Sequence, residues 1–313
     1  MQTKQTGDID ILRTVVNWRG AGSPAAIAIV VATWGSAPRP SGSLMVVNAD
    51  GSFVGSVSGG CVEGEVVTEA LSLLRSGDVK VLDFIVSDDD ARRTGSVCGG
   101  QLKVFIAPVV GDLLACLETL IERQTATLII NLSDGASSLS LSADTGVIAP
   151  PRFARIFFPP LRLLIVGAVH IAQALTTMAA AADYQITVID PRDSWATAER
   201  FPGVAIDKRW PSDAISSLFP DQRTAIVTLS HDSKLDDPAL TEAVNSPAFY
   251  IGALGNQQNH SARLKRLQEI GASDQAAARI HGPVGLKIGA ATPAEIAVSI
   301  LAEMTDTLRK NTT

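Results

Sequence analysis

The chain has 313 residues, 46% hydrophobic and 19% charged, with 26 basic against 32 acidic side chains and a net charge of −6. This is more chain than one hydrophobic core usually takes, so two domains are expected, and the composition excludes disorder and collagen-like sequence. The acidic balance, with no Lys/Arg run, excludes the basic footprint that nucleic-acid binding requires. Mean hydropathy is +0.22. The longest apolar run, Ala25 to Ala32, is only eight residues, whereas about 18–20 are needed to span a bilayer. The N-terminal residues contain no apolar signal core, so no membrane association is expected and the cytoplasm is the expected location. An odd cysteine count without C-x-x-C spacing (Cys61, Cys98 and Cys116) argues against both a disulfide framework and structural zinc.

The first half reads as mixed α and β. Asp8 to Trp18 is an amphipathic helix and Ala25 to Thr33 a buried strand. Strands at Leu44 to Val47 and Phe53 to Val57 flank Asn48-Ala49-Asp50-Gly51, a hairpin signal. A helix over Glu63 to Leu74 stops at Gly77. Strands follow at Val79 to Val86 and Leu102 to Ala107, then a helix at Asp112 to Arg123 whose apolar face takes Cys116. Runs at Ala126 to Leu132 and Ser138 to Leu141 complete the same sheet on this reading.

Proline pairs at Pro150/Pro151 and Pro159/Pro160 mark a seam, and the apolar residues between them form a short strand. The domain boundary is placed at 150/151. Beyond it, strands at Arg162 to Val166, Gln185 to Ile189, Val204 to Ile206, Thr224 to Leu229 and Phe249 to Ile251 alternate with helical stretches. Thr292 to Leu308 is a closing helix with Thr292 as N-cap, Pro293 at N1 and Glu295 at N3. The fold class is therefore α/β, an N-terminal mixed α/β domain followed by a C-terminal Rossmann-like, doubly wound parallel sheet.

In that setting Gly167-Ala168-Val169-His170 reads as a dinucleotide-binding turn, with Asp190 ending the next strand 23 positions on, where a ribose-binding acid belongs. Gly167 and His170 are accordingly candidate cofactor contacts. Val169 replaces the glycine that lets backbone approach a pyrophosphate, which speaks against NAD(P). His231 and His281 follow strand-like segments, and Gly252-Ala253-Leu254-Gly255 opens a helix near Asn256 that could cradle an anion.

More chemistry lies in the first half. In Ser58-Gly59-Gly60-Cys61 two glycines turn the chain and Cys61 arrives at a helix start, where backbone N–H groups form an anion nest and the dipole favours thiolate. Cys98-Gly99-Gly100 repeats the pairing. Cys61 and Cys98 are the candidate ligands for a soft metal. Arg39, between Pro38 and Pro40, is a candidate phosphate contact. Asp88, Asp89 and Asp90 read as a solvated acidic loop, since EF-hand spacing is missing.

TWGSAPRPSGS, GSVSGGCVEGEV and SVCGG in the first half, with LIVGAVHIAQAL, SHDSKLDDPAL, YIGALG and IHGPVGLKIGAATPAEIAVSILAE in the second, resemble the XdhC/CoxI family from about residue 24 to 305. The resemblance implies an accessory protein of xanthine dehydrogenase-type molybdenum hydroxylases, without turnover of its own. Such a protein binds molybdenum cofactor (molybdopterin or its dinucleotide form) and protects it during sulfuration by a cysteine desulfurase. It then delivers the cofactor to the hydroxylase apoenzyme. The Ser58–Cys61 loop and Cys98–Gly100 would form the cofactor surface. Two departures from the family stand out: Val169 for glycine, and Asn256, Gln257 and Gln258 where basic residues are common. The rival readings are an NAD(P)-dependent oxidoreductase using the C-terminal domain, and a docking protein that joins desulfurase and hydroxylase without holding cofactor. Symmetric dimers being the commonest assembly, a homodimer is the default oligomer.

Overall fold

The computed structural model describes residues 7–37, 39–86, 100–109, 111–143 and 148–310. The chain forms two compact units, Met1–Pro159 and Pro160–Thr313. The division falls later than 150/151 because the segment between the proline pairs is a paired strand. Arg152–Phe157 runs antiparallel to Ala126–Asn131, with Ala126 opposite Phe157, and so belongs to the first unit.

In the first unit, β1 (Ala25–Gly35), β2 (Leu44–Asn48), β3 (Phe53–Gly55), β4 (Lys80–Val86) and β5 (Gly100–Pro108) form an antiparallel sheet in the order β3-β2-β1-β5-β4. The apolar run of β1 is continuous because both of its faces are covered. Ile27 and Ile29 enter a core with Ile11 and Leu12 of α1 (Asp8–Gly20) and Leu113 and Leu117 of α3 (Gly111–Ile121). Ala26, Ala28 and Val30 point the other way, onto Val66, Ala70 and Leu73 of α2 (Glu63–Ser76). Cys116 is fully buried in the first core, and burial pushes its thiol up to about 12.

The runs after α3 do not complete this sheet. β6 (Ala126–Asn131), β7 (Ser137–Ser140) and β8 (Arg152–Phe157) make a separate sheet in the order β7-β6-β8. Ala126, Leu128 and Ile130 share one face of β6 and pack into the α1/α3 core.

The second unit is built on a parallel sheet of β9 (Arg162–Val166), β10 (Gln185–Ile189), β11 (Ala205–Asp207), β12 (Thr224–Thr228), β13 (Tyr250–Ala253) and β14 (Ile280–His281). Its order, β11-β10-β9-β12-β13-β14, is that of a Rossmann sheet, and the order in which strands are added reverses between β9 and β12, which pair in parallel. One face is covered by α4 (His170–Ala181) and α9 (Pro293–Lys310) through Leu175, Ala179, Ile300 and Met304. The other is covered by α5 (Pro211–Leu218), α6 (Ser233–Asn245) and α7 (Gln257–Glu269), with a short α8 (Asp274–Ala277) before β14. The capping box expected at α9 is present: Thr292 N–H donates to Glu295 Oε2 at 2.9 Å and Glu295 N–H to Thr292 Oγ1 at 3.3 Å. Among the described residues no helix is long and apolar enough to cross a membrane.

Candidate functional site

Antiparallel pairing brings the chemistry-bearing segments of the first unit to one end of its sheet. Gly35, the last residue of β1, pairs with Gly100, the first of β5, and Gly55 at the end of β3 pairs with Met45 near the start of β2. The segments carrying Arg39 and Cys61 both leave from this end. Arg39 is half-buried, and its Nε is buried without a hydrogen-bond partner among the described residues. Gly100 is glycine for packing: a Cβ would lie 2.9 Å from Ala37 N and 3.0 Å from the Trp34 carbonyl oxygen. Cys98, Gly99 and the three aspartates Asp88, Asp89 and Asp90 lie outside the described residues. Cys61 is half-buried and sits two residues before α2 begins.

The expected anion nest exists, but the chain fills it itself. The Glu63 carboxylate, first residue of α2, reaches back under the loop. Its Oε1 accepts from Ser56 Oγ at 2.6 Å, Ser58 N at 2.9 Å and Gly59 N at 3.1 Å. Its Oε2 accepts from the Ser58 hydroxyl, Gly60 N at 2.9 Å and Val62 N at 3.3 Å. Ser58 Oγ in turn accepts from the N–H groups of Cys61 and Val62, both at 3.0 Å. Burial acts to raise the Glu63 carboxyl, but the Ser56 and Ser58 hydrogen bonds outweigh it and hold the pKa at about 2. The donors of Ser58, Gly59 and Gly60, expected to meet an external phosphate, are thus already taken. An acid three residues after a Gly-Gly pair, at a helix start, was the signal that could have revealed this.

In the second unit the turn has the expected strand–turn–helix setting. Gly167 has φ +103°, and a Cβ there would lie 2.7 Å from Ser230 N, so glycine is required by conformation and by the close passage of the loop after β12. Val169, the N-cap of α4, has φ −87°, so no positive φ is demanded of it. His170 is exposed at the first position of α4.

Asp190 is not open to a ribose. It is fully buried and accepts from Ala168 N at 2.8 Å, Arg192 N at 3.0 Å, Arg192 Nε at 2.8 Å and Arg192 Nη2 at 2.7 Å. Burial raises its carboxyl, and these bonds overcome that and set it below its ordinary value. The aspartate therefore ties the turn to Arg192, which also stacks 4.4 Å over the Trp195 ring.

Sequence reasoning missed a second pair nearby. Asp236 of α6 and Arg263 of α7 are 1% and 6% exposed, and face each other at 3.7 Å beyond the ends of β12 and β13. Nothing local in the sequence announces them, because their meeting depends on how α6 and α7 pack. His231 adopts φ +60° at the same end of the sheet. His281 is held through Nδ1 by Glu303 at 3.1 Å. Among the described residues no group of three or more His, Cys, Asp or Glu side chains could hold a metal ion.

Comparison with known proteins agrees with this architecture. Residues 163–304 match the XdhC Rossmann domain, and residues 18–85 match the XdhC and CoxI family. The chain is 30% identical over 307 residues to the molybdenum cofactor insertion chaperone PaoD of Escherichia coli, covering 94% of this chain and 86% of PaoD. It is 26% identical to a probable subunit of xanthine dehydrogenase from Bacillus subtilis, covering 91% and 94% of the two chains. The crystal structure of a protein described as a xanthine dehydrogenase from Bacillus halodurans superposes with TM-score 0.78 at 24% identity, over 97% of this chain and 96% of that one, and shares the fold. By descent and by fold, the chain belongs to the XdhC and CoxI family.

Proposed function

We propose that the protein binds molybdenum cofactor as cargo, shields it during sulfuration by a cysteine desulfurase, and inserts it into a xanthine dehydrogenase-type molybdenum hydroxylase. It acts by binding and transfer, without turnover of its own. Similarity to PaoD over nearly the whole chain supports the general role. The observation that carries the site is the common sheet end shared by the Arg39 and Cys61 segments and the first residue of β5.

The residues fit the cargo in part. Arg39, with a buried Nε lacking a partner among the described residues, suits the cofactor's phosphate. Cys61 and Cys98 offer soft sulfur to a dithiolene-bound metal. Ser58, Gly59 and Gly60 are assigned a different part. Their donors hold Glu63, so the loop presents Cys61 on a rigid turn instead of cradling an anion.

Transfer is tested by loading the protein with cofactor made with radioactive molybdenum and mixing it with apo-hydroxylase under anaerobic conditions. Label and hydroxylase activity are expected to appear together in the hydroxylase fraction. A protein that recruits desulfurase and hydroxylase but never carries label would be a docking factor, and the carrier role would be lost. The hydrogen bonds of Asp190 to Arg192 and Ala168 speak against the ribose contact of the NAD(P)-oxidoreductase reading.

A further inference from the structure

A cleft of about 240 Å³ lies beyond the ends of β12 and β13, lined by His231, Ser233, Asp236, Leu254, Asn259 and Arg263. In a Rossmann sheet, ligands bind at this edge, outside the carboxyl ends of the strands. Arg263 donates through Nη2 to the Leu254 carbonyl oxygen at 2.8 Å, but its Nε and Nη1 have no partner among the described residues. Asp236 Oδ1 accepts from Ser230 Oγ at 2.7 Å, whereas Oδ2 accepts no hydrogen bond from the described residues and stands 3.7 Å from Arg263 Nη2. Buried polar groups are nearly always paired, so unmet groups on two buried side chains that line one cleft point to a ligand in it.

The inventory of unmet groups defines that ligand. Several donors face one acceptor. α7 begins beside the cleft with the neutral cap Asn256, whose side chain accepts from Asn259 N at 2.8 Å, and its first turn holds no acidic residue. Asn259, in that first turn, lines the cleft together with Arg263. By contrast, α6 is capped by the acid Asp232, which accepts from Lys234 N at 2.9 Å, and Arg266 is engaged by Asp237 at 2.6 Å. Burial moves the Asp236 carboxyl upward against the Ser230 hydrogen bond and the Arg263 charge. A singly protonated phosphate matches this pattern, with unprotonated oxygens for the donors and one P–OH for Asp236. Sulfate, and a diester such as a dinucleotide's pyrophosphate, cannot hold a proton near neutral pH, whereas a phosphate monoester, with a second pKa of about 6, can bind as its singly protonated form.

We infer that this cleft is a phosphate-monoester site, with Arg263 and the start of α7 holding the anion and Asp236 accepting its P–OH proton. The inference concerns the second unit, and its test uses no molybdenum cofactor, so its failure and the failure of cofactor carriage are told apart.

Isothermal titration of the full chain with inorganic phosphate, adenosine 5′-monophosphate, sulfate and NAD tests it. Phosphate and the nucleotide are expected to bind, with sulfate and NAD weaker by about tenfold or more, as for loss of a charge-assisted hydrogen bond. Arg263→Gln is expected to weaken phosphate by about tenfold or more. Because Arg263 is buried, Asn259→Asp serves as the fold-preserving variant. Its side chain is exposed, an acid is welcome in a first helical turn, and the added charge should repel phosphate while circular dichroism stays unchanged. Asp236→Asn should bring the phosphate-to-sulfate ratio toward one. Equal binding of sulfate and phosphate by the parent, binding of inorganic phosphate without the nucleotide, or no binding of either at millimolar concentration would each overturn the assignment.

Discussion

Ser58 and Glu63 hold each other in place: the Ser58 N–H donates to Glu63 Oε1 at 2.9 Å, its hydroxyl donates to Oε2, and that hydroxyl oxygen accepts from Cys61 N at 3.0 Å. The backbone of Cys61 is therefore positioned by a carboxylate two residues further on. The turn that looks like a receptor for an outside anion is a closed structure whose rigidity serves the cysteine. Five loop residues, from Ser56 to Gly60, donate to the one side chain.

Glu63 should therefore make stability depend on pH. Its folded pKa of about 2 lies below the ordinary 4.5, so its contribution is complete above pH 4.5 and is lost as the pH falls from 4.5 toward 2. The full linkage is about 3 kcal/mol. Urea unfolding across this range should show the loss in the parent and a flattened dependence in Glu63→Gln. The variant should also be less stable at pH 7 by about 1–3 kcal/mol, because an amide leaves several buried donors unpaired.

Gly100→Ala places a methyl group against Ala37 N and the Trp34 carbonyl oxygen. It should destabilise the first unit by about 1–3 kcal/mol, as overpacking does. If the Arg39 segment is part of the cofactor surface, the variant also retains less molybdenum on purification. Thermal unfolding and metal analysis of the same sample check both outcomes.

Gly167→Ala meets two obstacles, φ +103° and Ser230 N at 2.7 Å. A loss of about 2 kcal/mol or more is expected from strain and clash together. Full retention of stability in urea would show that the loop after β12 gives way easily.

Asp190→Asn keeps the shape of the turn but leaves Arg192 without its bidentate partner. About 1–3 kcal/mol should be lost, the usual cost of an unmatched buried hydrogen-bonding group. A neutral result in chemical denaturation would mean that Asp190 is free enough to serve a ligand after all.

Much of the fold was legible because its signals are local. Ala25 to Ala32 reads as a buried strand since both its faces are covered, and the capping box at Thr292 and Glu295 marks the start of α9 without reference to anything distant. Alternation of strand and helix after Pro160 likewise foretells the parallel sheet. Assignment of β6 to β8 to a second sheet was hidden, because strand periodicity states that a face is buried but not which layer buries it. The site was legible only as residue types. Cys61 and Arg39 could be singled out, but the partner of a glycine-rich nest depends on side-chain reach, which is why Glu63 appeared as the first residue of a helix and nothing more. Asp236 and Arg263 meet only through the packing of α6 on α7, and no spacing in the chain encodes that.

Cofactor carriage at the end of the five-stranded sheet is tested most directly by purifying the protein anaerobically from cells that make molybdenum cofactor. Bound molybdenum and the fluorescent oxidised pterin are then measured in the parent and in Cys61→Ala and Cys98→Ala. Both signals should be present near equal stoichiometry in the parent and lost in the two variants, with the fold unchanged by circular dichroism. Cofactor retained equally by the variants, or absent from the parent even after incubation with free cofactor, would contradict the assignment.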